Sequence, residues 1–277
     1  MSESQPSRQV FQDEASQLAR RIQSTIISNQ LTVSQWEQHV ADCRKYRFQA
    51  AMIPGAWVKR TASALRGSGI RVASFIDLPY GAMTSSGKAC EAARLVQDGV
   101  QDIDLMPNVG FLLSGLEAEY FEDIRGVVEA ARGIPVKIML ELPLLSAPQK
   151  ERAVALSVEA GAAYLKNASS GAVGVATPEQ IRFLRRLAPA GVGIKASGGI
   201  KTAGQVRELL EAGAELVGTS AGFLMVGKHQ NSGWTWQEMP VTPVRLDWIA
   251  AALATGSDTL LLAGPAAVWE GKLDGSR

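Results

Sequence analysis

The sequence predicts an α/β protein built as a (β/α)8 barrel, with a helical arm before the barrel and an extension after it. Three observations carry this. Short apolar runs rich in β-branched residues alternate with longer amphipathic stretches through the middle of the chain. The repeating β-α unit takes about 25–35 residues with short connections, as parallel strands joined by crossover helices require. The 277 residues approach two domains at ~150 residues each, yet single α/β barrels commonly reach about 250. A doubly wound open sheet is the competing topology.

In chain order, residues 1–20 read as an extra helix or arm, and a weak strand falls near Thr25–Ile27. The clear strands are Ala50–Ile53, Val72–Ile76, Asp102–Met106, Val136–Glu141, Ala162–Lys166, Gly193–Ala196 and Leu216–Thr219. Helices are expected near 34–45, 55–66, 86–98, 117–132, 148–160, 177–187 and 202–212. Thr177 followed by Pro178 and Glu179 has the pattern of an N-cap, a first-turn proline and an acidic first turn. Gly161 and Gly213 stand where helix-ending glycines belong. The barrel domain is therefore placed at 1–227. The segment 228–246 mixes polar, aromatic and proline residues and reads as a loop; the apolar stretches Asp247–Ala254 and Leu260–Trp269 follow. The extension 228–277 either packs on the barrel or serves an oligomer interface.

Composition narrows the function. Lys+Arg 28 against Asp+Glu 27 gives no basic excess, so no nucleic-acid partner is expected. The polar N-terminus lacks a signal-peptide core, and no apolar run reaches the ~18 residues of a membrane span, so a soluble cytoplasmic protein is expected. Cys43 and Cys90 form no CxxC pair or zinc cluster, and only His39 and His229 are available, which counts against a histidine-rich metal site. His39 reads as a surface or packing residue.

Two motifs are decoys. Gly81 to Lys88 resembles a P-loop, but five residues separate its glycines and Ala89 stands where Ser or Thr is required. It reads better as a loop after a strand, with Lys88 in the first turn of the next helix. Asn167-Ala168-Ser169 is a glycosylation sequon by letter only.

The informative residues are charges at the C-terminal ends of apolar strands, because that face of a barrel carries the active site. Lys166 ends one strand, Lys195 lies near the end of the next, and Asp102 and Asp104 share one face of a third. Lysine avoids burial unless it has a partner or a function. Two inward lysines on neighbouring strands, about 4.8 Å apart at the backbone, would disfavour each other's protonated forms. A neutral amine is a nucleophile, which fits Schiff-base chemistry on a carbonyl, with an aspartate relaying protons. The competing reading is a Lys–Asp salt bridge at the barrel mouth. Lys137 is a further candidate, but it begins its strand, on the stability face. Ser197-Gly198-Gly199-Ile200 and Gly218-Thr219-Ser220-Ala221-Gly222 follow the last two strands, where barrels often bind phosphate on backbone N–H groups.

From about Ile22 to Met225 the chain resembles the deoxyribose-phosphate aldolase family of class I aldolases. The likeness runs through RVASFIDLPYGAMTSSGK, VQDIDLMPNVGFLLSG, VKIMLELPLL, EAGAAYLKNASSG, ATPEQ and VGIKASGGIKTAGQVRELLEAGAELVGTSAG. It implies a (β/α)8 barrel and a reversible aldol reaction, typically cleavage of 2-deoxyribose 5-phosphate to acetaldehyde and glyceraldehyde 3-phosphate, with no metal and no cofactor. It implies Lys166 as the Schiff-base lysine, Lys195 as the group depressing its pKa, and Asp104, not Asp102, as proton relay. Ser169 keeps a hydroxyl of the family pattern, and backbone groups at Gly171, Gly198, Gly199, Gly218 and Ser220 would hold the phosphate of a small carbonyl substrate. A homo-oligomer is one assembly the extension leaves open. The chain also departs from the pattern. Gln23-Ser24-Thr25-Ile26 replaces the family's Asp-His-Thr-Leu, so its hydroxyl-contacting acid is absent. Asn167-Ala168-Ser169-Ser170-Gly171 replaces Thr-Ser-Thr-Gly, and a cysteine usual near Ile53 is missing. The rival functions are an aldolase of the same family on another phosphorylated aldehyde or sugar, and an idle barrel that binds a phosphometabolite.

Overall fold

A computed structural model describes residues 15–227, 234–239, 259–264 and 267–273. Eight parallel strands close into a barrel in sequential order, β1 to β8, with β1 hydrogen-bonded to β8. The strands are β1 Ile22–Thr25, β2 Ala50–Met52, β3 Arg71–Ile76, β4 Asp102–Leu105, β5 Val136–Met139, β6 Tyr164–Lys166, β7 Gly193–Ser197 and β8 Leu216–Thr219. Closure excludes the open sheet. Within the barrel, closure leaves no free strand edge.

Seven strands fall where the hydrophobic runs place them. β1 lies upstream of the expected Thr25–Ile27, because the strand IQST buries the consecutive polar residues Gln23 and Ser24 and no apolar run marks it. Its register is set by its neighbours, with Gln23 opposite both Ala50 and Gly218. The helices also lie close to expectation. Thr177, Thr202 and Thr84 each accept a backbone N–H at the start of their helices, Pro178–Leu187, Ala203–Glu211 and Ser85–Gln97; such a cap contributes about 1 kcal/mol. The expected helix near 55–66 divides into a 3-10 turn, Gly55–Trp57, and a helix, Val58–Ala64. Residues 15–19 are helical, in keeping with the expected arm; the rest of the arm lies outside the described residues.

The P-loop look-alike has a packing role. Lys88 is fully buried and donates to Asp123 Oδ2 at 2.7 Å and to the Gly81 carbonyl at 3.0 Å. Asp123 sits on the neighbouring helix Glu117–Ala130, and it also accepts from Ser85 Oγ and the Asn108 N–H. The lysine therefore closes its own loop onto the next helix. His39 packs beside Cys43 at 3.8 Å, and burial pushes its pKa down to about 4. Cys43 and Cys90 are both free thiols.

The chain divides after Val226. The second unit holds an antiparallel sheet in the order β10-β11-β9: Trp234–Met239 (β9), Thr259–Gly264 (β10) and Ala267–Leu273 (β11). β9 corrects the expectation of a loop over 228–246. Its tryptophans and alternating pattern suit a strand, and the flanking prolines masked that signal. Asp247–Ala254 and His229 lie outside the described residues.

Candidate active site

Strand register brings the predicted groups together. Lys166 is directly opposite Lys195, and Asp104 is opposite Phe75 on one side and Lys137 on the other. Paired residues in a parallel sheet point to the same face, so these charges share the barrel interior. Lys166 Nζ donates to Asp104 Oδ2 at 2.8 Å, and Lys195 Nζ donates to the same oxygen at 2.6 Å. The two lysines thus converge on one carboxylate oxygen. Asp104 Oδ1 has no hydrogen-bond partner among the described residues.

The electrostatics follow from burial and neighbours. For Asp104, burial pushes the pKa upward, but Lys166 and Lys195, then Lys137, outweigh it and hold the carboxyl far below its usual range. For Lys195, burial is the largest influence; with the repulsion of Lys166 and Lys137 it overcomes the attraction of Asp104 and brings the pKa down to about 7. A proton is therefore labile in this chamber near neutral pH. Lys166 is the more accessible amine, at 7% side-chain exposure against 1% for Lys195.

Asp102 and Lys137 form a separate cluster one rung lower. Lys137 donates to Asp102 Oδ1 at 2.6 Å, and Arg71 Nε donates to Oδ2 at 2.8 Å. The Lys137 ammonium also sits 5.3 Å from the Tyr164 ring centroid. Residue type and spacing alone leave Asp102 and Asp104 alike, since both face inward; the resemblance favours Asp104, and the partners of the two carboxylates distinguish them.

The loops above the lysines are tied to one another. The Asn167 side chain accepts from the Ser197 N–H at 2.8 Å and donates to the Ser197 carbonyl at 3.0 Å. Asn167 is fully buried, which removes any meaning from the sequon. The Ser169 N–H donates to Glu141 Oε1 at 2.5 Å, while Ser169 Oγ is buried with no hydrogen-bond partner among the described residues. Glu141 was not anticipated. It holds a left-handed backbone at φ 51° just past β5, and burial raises its pKa.

The glycines divide into two uses. A Cβ on Gly171 would lie 3.0 Å from the Gly199 N, and one on Gly198 would lie 2.5 Å from the Gly174 carbonyl oxygen. Gly198 and Gly199 have φ of +111° and +63°, so the backbone disfavours side chains at both, and at Gly198 space excludes one as well. Thr219 Oγ1 donates to the Ile200 carbonyl at 2.7 Å, joining the β7 and β8 loops. These loops form a backbone-lined shelf, with exposed Ser220 at its edge. Gly218 lies inside β8 instead. A Cβ there would be 3.0 Å from Lys195 Cε, so its missing side chain gives Lys195 room.

Among the described residues, no group of three or more His, Cys, Asp or Glu could hold a metal ion, and no helix is long and apolar enough to cross a membrane.

Comparison with known proteins gives one consistent outcome. No family model matches the chain. A deoxyribose-phosphate aldolase from a Geobacillus species is 34% identical over 219 residues, covering 78% of this chain and 98% of the relative. The deoxyribose-phosphate aldolase of Shouchella clausii is 36% identical over 223 residues, covering 79% and 100%. The solved deoxyribose-phosphate aldolase of Aeropyrum pernix, described as tetrameric, superimposes with a TM-score of 0.71 at 26% identity, covering 82% of this chain and 99% of that one. The barrel, the paired lysines and this similarity over nearly the whole length of the relatives agree: the chain belongs to the deoxyribose-phosphate aldolase family.

Proposed function

We propose that the protein is a class I aldolase, an aldehyde-lyase that cleaves and forms 2-deoxyribose 5-phosphate from acetaldehyde and glyceraldehyde 3-phosphate. The observation that carries this is the convergence of Lys166 and Lys195 on Asp104 Oδ2 inside the barrel mouth. A salt bridge serving stability alone would not need two lysines on one oxygen with the second oxygen unpartnered.

In the synthetic direction, neutral Lys166 Nζ adds its lone pair to the carbonyl carbon of acetaldehyde. Loss of water from the carbinolamine gives the iminium, and loss of a methyl proton gives the enamine. Asp104 accepts and returns these protons, and Lys195, with its pKa near 7, keeps Lys166 supplied with a proton acceptor. The enamine carbon attacks the acceptor aldehyde, whose oxygen takes up a proton. Water then adds to the new iminium and releases the product and Lys166. The acceptor's phosphate lies on backbone N–H groups at Gly171, Gly198, Gly199 and Ser220. No lysine or arginine lies in the segment 167–176 after the Schiff-base lysine, so the shelf relies on the backbone there. The Aeropyrum pernix tetramer supports a homo-oligomer here as well.

The test is reductive trapping. Acetaldehyde with borohydride should leave one mass adduct on Lys166, and glyceraldehyde 3-phosphate should outperform glyceraldehyde as acceptor. Absence of an adduct on the folded protein, with any aldehyde or ketone, defeats the aldolase reading. Equal rates with both acceptors defeat the phosphate shelf. A second reading, the same chemistry on another aldehyde, is favoured by Gln23, which puts a carboxamide where the family pattern has a carboxylate.

A further inference from the structure

β1 carries a glutamine at a fully buried interior position. A buried amide is costly unless its polar atoms are bonded, and those of Gln23 are. Its Oε1 accepts from Lys195 Nζ at 2.5 Å. Its Nε2 donates to Gln49 Oε1 at 2.9 Å and to Asp102 Oδ2 at 3.4 Å. An ammonium only donates, so the amide oxygen must face Lys195 and the NH2 must face the two acceptors. Gln23 is thereby fixed in one orientation and links the two ion clusters.

The charges around Lys195 come from several strands. Asp104 on β4 touches it and Lys166 on β6 stands opposite. Lys137 on β5 repels it, and Asp102 on β4 is engaged by Lys137 and Arg71. β8 brings no charge: Leu216 stands opposite Lys195 and Gly218 lies beside its Cε. Four cations thus share two carboxylates, and the side chain that touches Lys195 from β1 is neutral.

We propose that Gln23 is the positioning residue of the lysine pair: its carboxamide aims Lys195 Nζ at Asp104 while withholding a second carboxylate that would retain the Lys195 proton. This rests on the aldolase reading and adds to it. With a neutral acceptor, the pair has one anionic partner and releases a proton near neutral pH. With a carboxylate, Lys195 would have two anionic partners and stay charged to higher pH, and proton transfer out of Lys166 would be delayed.

The experiment follows acetaldehyde trapping on the full chain with cyanoborohydride, read by mass, from about pH 5 to about pH 10, in the native protein, Gln23→Glu and Gln23→Leu in parallel. The native rate should rise with a midpoint near neutral pH. Gln23→Glu should move that midpoint up by about one unit or more. Gln23→Leu, which removes the acceptor without adding charge, should not move it upward, and should lower the plateau rate by roughly tenfold. A Gln23→Glu protein that is folded by circular dichroism and has the native midpoint overturns the proposal, as does a Gln23→Leu plateau equal to native. If Gln23→Glu does not fold, the Gln23→Leu plateau decides. A native protein that traps nothing defeats the aldolase reading first and the proposal with it; a native protein that traps, with variants that match it, defeats the proposal alone.

Discussion

Asp102 and Asp104 stand two residues apart on β4, each buried and each between two cations, but their surroundings differ. Asp102 uses both oxygens: Oδ1 for Lys137, and Oδ2 for Arg71 and Gln23. Asp104 receives both lysines on Oδ2 and leaves Oδ1 unpartnered. The lower carboxylate completes a bonding pattern, and removing it leaves uncompensated charge. The upper one has an acceptor in reserve at the mouth of the barrel, where a substrate group or a moving proton can use it. Buried ion clusters of like composition therefore serve different ends according to which lone pairs are taken.

Substitutions sharpen that contrast. The largest effect is expected from Lys166→Met, which removes the nucleophile: borohydride adducts vanish and turnover falls to background. Asp104→Asn keeps the shape but loses the base, and kcat should fall by about 10²–10⁴-fold while the protein still unfolds cooperatively. Asp102→Asn should invert this outcome. It leaves Lys137 buried without its anion, so urea unfolding should report a loss of about 3 kcal/mol, at the low end for buried pairs because Arg71 reaches solvent. Its kcat per folded molecule should change far less than that of Asp104→Asn; an equal drop in both would erase the division between the clusters.

The remaining contrast concerns pH. The Lys195 pKa is about 7 in the folded state, below its ordinary value of 10.5. Between those two values the unfolded chain binds more protons, so this group makes stability rise with pH there, by at most about 1.4 kcal/mol per unit. Lys195→Met should lack that rise. Urea unfolding at neutral and alkaline pH should show native stability gaining on the variant; parallel trends would place the labile proton elsewhere.

Much of the barrel was legible because β2 to β8 are short runs rich in apolar residues, interrupted only by the buried charges of the site, and several of the helices between them carry threonine or proline signals. β1 was misplaced because Gln23 and Ser24 are polar yet buried, and only closure against β8 explains them. Lys166 and Lys195 were legible as charges at the ends of apolar strands. Gln23 was visible only as a departure from the family pattern; its bond to Lys195, the Glu141 bond to Ser169 and the room Gly218 gives Lys195 were not legible, since each partner is distant in the chain. β9 was hidden by prolines that break the local pattern.

The seam between β1 and β8 has a further consequence. Gln23 and Gly218, which meet across it, come from the first and last staves of the barrel, and both abut Lys195. A nascent chain emerging from the ribosome can align Lys166 with Asp104 once six strands exist, but it gains a properly seated Lys195 only after Thr219 has been synthesised and docked. Competence for catalysis is thus a late event in biogenesis, and a fragment ending before β8 should remain inert however well its other strands assemble.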